Sequence, residues 1–176
     1  VMIADASGHG VAAAPMVAEA RAYLRALALQ SADVGALLTL TNRRLTPKVP
    51  GGGAFVTAFL ARLDVSTRTL TYSSAGHCPA HVLAADGQTR ELLPSTGWPL
   101  AIEASTIFDS PPPLRLDPGD IVFIYSDGLT DAMSGEGEMF GSRRAIAYIR
   151  EHRSEDVESI LSGLFSRVHL FQAGHP

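Results

Sequence analysis

Val1-Met2-Ile3-Ala4-Asp5-Ala6-Ser7-Gly8-His9-Gly10 is the stretch around which this chain is organised. An apolar run stops at one carboxylate. A turn with two glycines follows, and Val11 to Leu29 then reads as a long helix. A strand that ends on Asp5 puts a hard oxygen ligand at the rim of a sheet. The glycines beside it let backbone groups approach an ion or a phosphate closely. The same residues also suit an ordinary strand, turn and helix, with Asp5 or Ser7 capping the helix.

Outward from this stretch, Ala12 to Leu29 is rich in good helix formers. Met16, Ala20, Tyr23, Leu24 and Leu27 mark its buried stripe. A second helix, Val34 to Leu45, carries Leu37, Leu38, Thr41 and Leu45 on one face, so the two form a helical hairpin. That face is either core or a surface for a neighbouring regulatory domain. Pro47 to Gly53 is a flexible loop. The period then changes to two. Ala54 to Leu63 and Thr69 to Ser74 read as antiparallel strands around Asp64-Val65-Ser66-Thr67-Arg68. Ala80 to Ala84 and Thr89 to Leu93 form a hairpin around Asp86-Gly87. After a loop carrying Trp98, short strands are predicted at Ser105 to Phe108 and Leu114 to Leu116. A turn leads into Ile121 to Tyr125, apolar enough for a central strand, which ends on Ser126-Asp127-Gly128. Leu129 to Met133 reads as one helical turn. Arg143 to Glu151 and Asp156 to Leu170 read as the final helices, the last with a start signal at Ser154. Helix pair, block of strands and helix pair together predict an antiparallel α+β fold with helices packed on sheet faces.

With 176 residues the chain is one domain by prior and can bury a real core. It is 46% hydrophobic and 18% charged with a net charge of −4, an ordinary soluble profile. A pI near 5.8 and the lack of a basic block give no support for nucleic-acid binding. The one cysteine, Cys78, excludes an intrachain disulfide framework and a Cys-rich zinc site, and it fits a reducing cytoplasm. No apolar run approaches the ~18 residues of a membrane span. The opening without Met, inside an apolar run, reads as a piece of something longer.

Asp5 and Asp127 each close an apolar strand and are followed within three residues by glycine. Brought together by folding, two such carboxylates would repel each other and call for a divalent cation. Mg²⁺ or Mn²⁺ suits an all-oxygen site that keeps several waters, and a two-metal site of that kind hydrolyses phosphate esters.

Five segments then occur in order: Asp5-Ala6-Ser7-Gly8-His9-Gly10, Ser74-Ala75-Gly76-His77-Cys78-Pro79, Leu116-Asp117-Pro118-Gly119-Asp120, Tyr125-Ser126-Asp127-Gly128-Leu129-Thr130-Asp131-Ala132 and Glu136-Gly137-Glu138-Met139-Phe140-Gly141. The set resembles the bacterial serine phosphatases related to protein phosphatase 2C, in their sporulation-type and stress-sigma-factor-regulator branch. The resemblance covers essentially the whole chain. It implies two antiparallel sheets sandwiched between antiparallel helix pairs. It also implies hydrolysis of phosphoserine or phosphothreonine on a phosphorylated regulatory protein, such as an anti-sigma-factor antagonist, with two Mn²⁺ or Mg²⁺ ions. By the same resemblance Asp5 bridges the metals, the backbone carbonyl of Ala6 binds one of them, and Asp127 is a further ligand.

Two further carboxylates of the family pattern, one in an upstream Gly-Gly-Asp and one in a C-terminal Asp-Asp pair, are not among these residues. The expectation is a domain trimmed at both ends, with weak metal binding and unpaired sheet edges that favour a homodimer or strand exchange. A fused sensor or regulatory domain is expected beside it. The alternative function is a catalytically silent module of the same fold that binds protein partners.

The remaining candidates have plainer readings. His9 could face substrate phosphate, and a solvated turn histidine is the reading adopted. His77 could lie near the cleft, on the substrate side or behind a metal ligand, and a structural role is the reading adopted. Asp131 is either a carboxylate orienting a metal water or an acid in the first turn of a short helix. Arg143 and Arg144 could attract a phosphoprotein, and a solvated helix start is the reading adopted. Asp64, Asp86, Asp117 and Asp120 read as turn residues.

Overall fold

In the computed structural model, Met2, Ala4 and Ala6 alternate with Ile3 and Asp5 along a first strand, β1 (Met2–Ala6). The structure describes residues 1–7, 13–46 and 54–174. After β1 come α1 (Ala13–Leu27), α2 (Val34–Leu45), β2 (Val56–Asp64), β3 (Thr69–Ala75), β4 (Ala80–Leu83), β5 (Thr89–Leu93), β6 (Leu114–Arg115), β7 (Ile121–Phe123), α3 (Asp127–Thr130), α4 (Gly141–His152) and α5 (Val157–Gln172). The strands make two antiparallel sheets, ordered β1-β2-β3-β6 and β5-β4-β7, so the α+β expectation holds. The chain divides into two compact units, 1–79 with 94–117, and 80–93 with 118–176. The predicted loop at Pro47 to Gly53 lies outside the described residues.

In the first unit, α1 and α2 pack on the four-stranded sheet. Ala20, Leu24, Leu37, Leu38 and Leu45 meet Val56, Ala58, Ala75 and Leu100, with Met2, Ala4 and Ala6 packed against them. The stripe on α2 is therefore core, and Thr41 is buried with it. Asp33 starts α2 by accepting from the Gly35 and Ala36 N–H groups at 3.0 and 3.2 Å. The fully buried Asn42 amide donates to the Glu103 carbonyl at 2.7 Å and accepts from the Ala101 N–H at 2.8 Å.

The predicted strand at Ser105 to Phe108 is absent. Side chains hold this backbone in place of a ladder. The Phe108 N–H donates to Thr39 Oγ1 at 2.9 Å, and Ser73 Oγ donates to the Asp109 carbonyl at 2.9 Å. Backbone groups satisfied from a helix and a neighbouring strand need no strand partner.

In the second unit, the β4–β5 hairpin turns at Asp86-Gly87 as predicted, with Gly87 at φ +84°. β7 stops at Phe123, short of the predicted Tyr125. Tyr125 instead stacks on Phe123 at 4.8 Å, and Ser126 leads into α3. α4 is tied to the hairpin by Arg150 Nε donating to the Gly87 carbonyl at 2.9 Å and Arg153 Nε to that of Ala85 at 3.1 Å. α4 and α5 together bury Ala145, Ile149, Ile160, Leu164 and Val168. The start of α5 is set by Asp156, which accepts from the Ser159 N–H at 2.8 Å, and not by Ser154.

Two charged residues depart from their sequence reading. Asp120 is no solvated turn acid: its side chain is 3% exposed and pairs with Arg90 at 2.6 Å, joining β5 to the entry of β7. Arg144 is no solvated helix start: it donates to the Met139 and Phe140 carbonyls and lies 4.9 Å over the Phe171 ring. Replacing Arg90 by Met removes the cation beside a buried carboxylate. It is expected to lower stability by about 2 kcal/mol, read from urea unfolding.

Candidate functional site

The end of β1 is organised by the strand's own hydrogen-bond alternation. Val1 and Ala61 exchange both backbone bonds, at 2.8 and 3.0 Å. Bonded pairs recur every second residue, so Asp5 is bonded to Thr57 in register, and Met2, Ala4 and Ala6 turn their backbone groups to the other side of the strand. Among the described residues β1 has β2 as its one neighbour, so that other side is open. Asp5 Oδ1 accepts from the Ala6 N–H at 2.8 Å. The Ala6 carbonyl and Asp5 Oδ2 make no hydrogen bond within the described residues. Side-chain alternation sends Ala4 and Ala6 into the helix-covered core and Asp5 to the opposite face.

Ser7 continues β1 alongside Phe55, and the residues between it and α1, whose start it was a candidate to cap, lie outside the described residues. Its N–H donates to the Phe55 carbonyl at 2.9 Å and its Oγ accepts from the Phe55 N–H at 2.8 Å, extending the ladder. Thr57 Oγ1 lies 3.4 Å from the Asp5 carbonyl and 2.9 Å from His77 Nδ1. His77 is buried, which agrees with its structural reading, and its contact places it on the Asp5 side of the sheet. Gly76 sets its approach: it sits at φ +62°, and a Cβ there would come within 2.4 Å of Pro99 Cγ. His9 lies outside the described residues.

In the second unit, Asp127 is the first residue of α3 rather than the last of a strand, and it is exposed. A carboxylate in the first turn of a helix faces unsatisfied N–H groups and carries a favourable dipole term. Asp131 is not in that first turn. It is the C-terminal cap, with its N–H donating to the Asp127 carbonyl at 2.7 Å and its Oδ1 accepting from Thr130 Oγ1 at 3.1 Å. His81 was not singled out from the sequence. Its ring stacks on Tyr125 at 6.0 Å, Nε2 lies 3.4 Å from Tyr125 Oη, and Nδ1 is buried with no hydrogen-bond partner among the described residues. The alternation of β4 was the available signal, since it places His81 and Val82 on opposite faces.

Thus Asp5, Thr57 and His77 meet within one unit, and Asp127 and Asp131 within the other. In kind, the carboxylate and carbonyl oxygens suit a hard divalent cation. In number they fall short: among the described residues no three His, Cys, Asp or Glu side chains gather to hold a metal. No described helix is long and apolar enough to cross a membrane.

The profile of the stage II sporulation protein E (SpoIIE) family matches residues 1–176. The chain is 33% identical over 121 residues to Protein IcfG of Synechocystis, covering 68% of this chain and 18% of that protein. It is 25% identical over 169 residues to the phosphoserine phosphatase RsbU of Bacillus subtilis, covering 94% of this chain and 48% of that protein. It therefore spans less than half the length of either relative. The solved SiaA-PP2C domain of Pseudomonas aeruginosa shares the fold, with a TM-score of 0.83 at 24% identity over 99% of this chain and 70% of that one.

Gly76→Ala forces a side chain into a left-handed backbone position against Pro99. The expected cost is about 2 kcal/mol in urea unfolding, with the His77 ring resonances displaced. Burial lowers the His81 pKa, so the unfolded chain binds that proton more readily than the folded one. Stability from this residue is present above its unfolded pKa and lost as pH falls below about 6.5. In His81→Gln the drop in unfolding midpoint between about pH 7.5 and 5.5 should be smaller than in the unaltered chain.

Proposed function

We propose that this chain, which belongs to the stage II sporulation protein E family, is the phosphatase domain of a metal-dependent phosphoserine/phosphothreonine protein phosphatase. Its substrate is a phosphorylated regulatory protein in cytoplasmic bacterial signalling, of the kind that controls sigma factors. A fused sensor or regulatory domain sets its activity. The observation that carries this reading is the end of β1. There, among the described residues, Asp5 Oδ2 and the Ala6 carbonyl have no hydrogen-bond partner and the side of β1 away from β2 is open, in the first of the five ordered motifs.

When bound, Mn²⁺ or Mg²⁺ supplies the charge that offsets the phosphoryl oxygens and makes water acidic enough to attack. The chain's residues contribute the following. Asp5 and the Ala6 carbonyl offer adjacent oxygens held by the β1–β2 register. Asp127 offers a third oxygen ligand from the first turn of α3. The buried His77, through Thr57, steadies the backbone of Asp5. Asp131, whose carboxylate accepts from Thr130 Oγ1, orients water near Asp127.

The test is Mn²⁺ titration calorimetry together with phosphate release from a phosphoserine protein, on this chain and on a form extended at both ends. Binding and turnover are expected in the extended form, with Asp5→Asn and Asp127→Asn each lowering turnover by at least about a hundredfold. Turnover at the unaltered rate in either variant would overturn the ligand assignment. Neither binding nor turnover in either form would leave the protein-binding module as the function.

A further inference from the structure

We infer that the hairpin following α3 is a docking surface for the phosphoprotein substrate, one that takes an apolar side chain flanked by Lys or Arg. The inference rests on the phosphatase reading above, because it places the surface next to Asp127 in the chain.

Residues 132–140 fold back on themselves. Phe140 N–H donates to the Ala132 carbonyl at 2.8 Å and Ser134 N–H to that of Glu138 at 2.8 Å, and Met133 pairs with Met139. Gly137, at φ +82°, makes the turn, and Ser134 Oγ accepts from the Glu136 and Glu138 N–H groups at 3.3 and 3.1 Å. Arg144 clamps the returning arm. One guanidinium nitrogen donates to the Met139 and Phe140 carbonyls at 3.0 Å each, and the other pairs with Glu138 at 2.6 Å. The same guanidinium lies over Phe171 of α5, so the clamp is anchored in the helical layer.

A hairpin held this firmly presents two methionines that the unit's own core does not use. Met133 and Met139 are 51% and 54% exposed, and directly opposed residues of an antiparallel pair project from the same face. Adjacent exposed thioethers form an adaptable apolar surface. Asp131 and Glu136 lie on either side of Met133 along the chain, and among the described residues neither has a cationic partner, whereas Glu138, next to Met139 in the chain, turns to the other face and pairs with Arg144. Of the two arginines that follow, Arg144 is already engaged. An apolar centre with an acidic rim is complementary to an apolar side chain with basic neighbours. The hairpin continues directly from α3, so a segment seated on it lies alongside the residues that follow Asp127.

The test uses the full-length protein and two labelled phosphoserine peptides. One has Leu between two Lys near the phosphoserine, and the other has Ser between two Glu. Binding is read by fluorescence anisotropy, independently of turnover, and p-nitrophenyl phosphate hydrolysis is read in parallel. The unaltered protein should favour the Lys-Leu-Lys peptide by about tenfold, and Met133→Ser with Met139→Ser should remove that preference. Glu136→Lys should weaken the same peptide a few-fold. Hydrolysis of the small ester should be unchanged in both variants. Equal binding of the two peptides, or a preference that survives the double substitution, would overturn the docking surface. Loss of ester hydrolysis in the unaltered protein bears on the phosphatase reading alone, since the binding preference is read without it.

Discussion

The register of β1 on β2 is the constraint on which the rest of the first unit depends. With Met2 opposite Leu60 and Ala6 opposite Val56, the small side chains of Ala4 and Ala6 face α1 and α2, and Asp5 faces away from them. A slip of one residue would reverse every side chain and drive the Asp5 carboxylate into the apolar layer under the helices. Burying an unpaired charge is costly enough that the core itself enforces the register. The same alternation turns the Ala6 carbonyl away from β2. The geometry of the candidate ligands is thus a consequence of how the core packs, with no strain required at the site.

A second device stabilises the irregular half of this unit. Between β5 and β6 the chain runs for twenty residues, 94–113, with no strand of its own, yet its backbone groups are widely partnered. Leu100 exchanges both backbone bonds with Val56, Asn42 serves Ala101 and Glu103, and Thr39 serves Phe108. Buried polar side chains on α2 therefore do for this segment what a neighbouring strand would do. Pro99, held in the same segment, packs on Gly76 and so bears on the placement of His77.

Much of the architecture was legible because it rests on local rules. The helical stripes, the period of two in β2 to β5 and the Asp86-Gly87 turn depend on neighbours close in sequence, and each appears where the pattern put it. The errors have long-range causes. Ser105 to Phe108 has the composition of a strand, but Thr39 satisfies its backbone from a helix far away in sequence. Asp120 has the neighbours of a turn acid, but Arg90 arrives from another strand. Ser154 looks like a cap, and Asp156, closer to the first buried residue of α5, does the capping.

By itself the sequence determined the α+β class, the two helix pairs and the family, because periodicity, turn chemistry and an ordered set of short motifs are written in adjacent residues. It also singled out Asp5 and Asp127 as candidates, since carboxylates beside glycines carry their chemistry with them, and pointed to the Ala6 carbonyl through the family resemblance alone. Only the tertiary structure decided what those residues face. It showed that the Ala6 carbonyl points away from β2, that Thr57 and His77 lie on the Asp5 side of the sheet, that Asp127 begins a helix, and that Asp131 ends one. Such facts depend on which strand pairs with which and in what register, and hydrogen bonds between residues distant in the chain leave no periodic trace for a sequence to display.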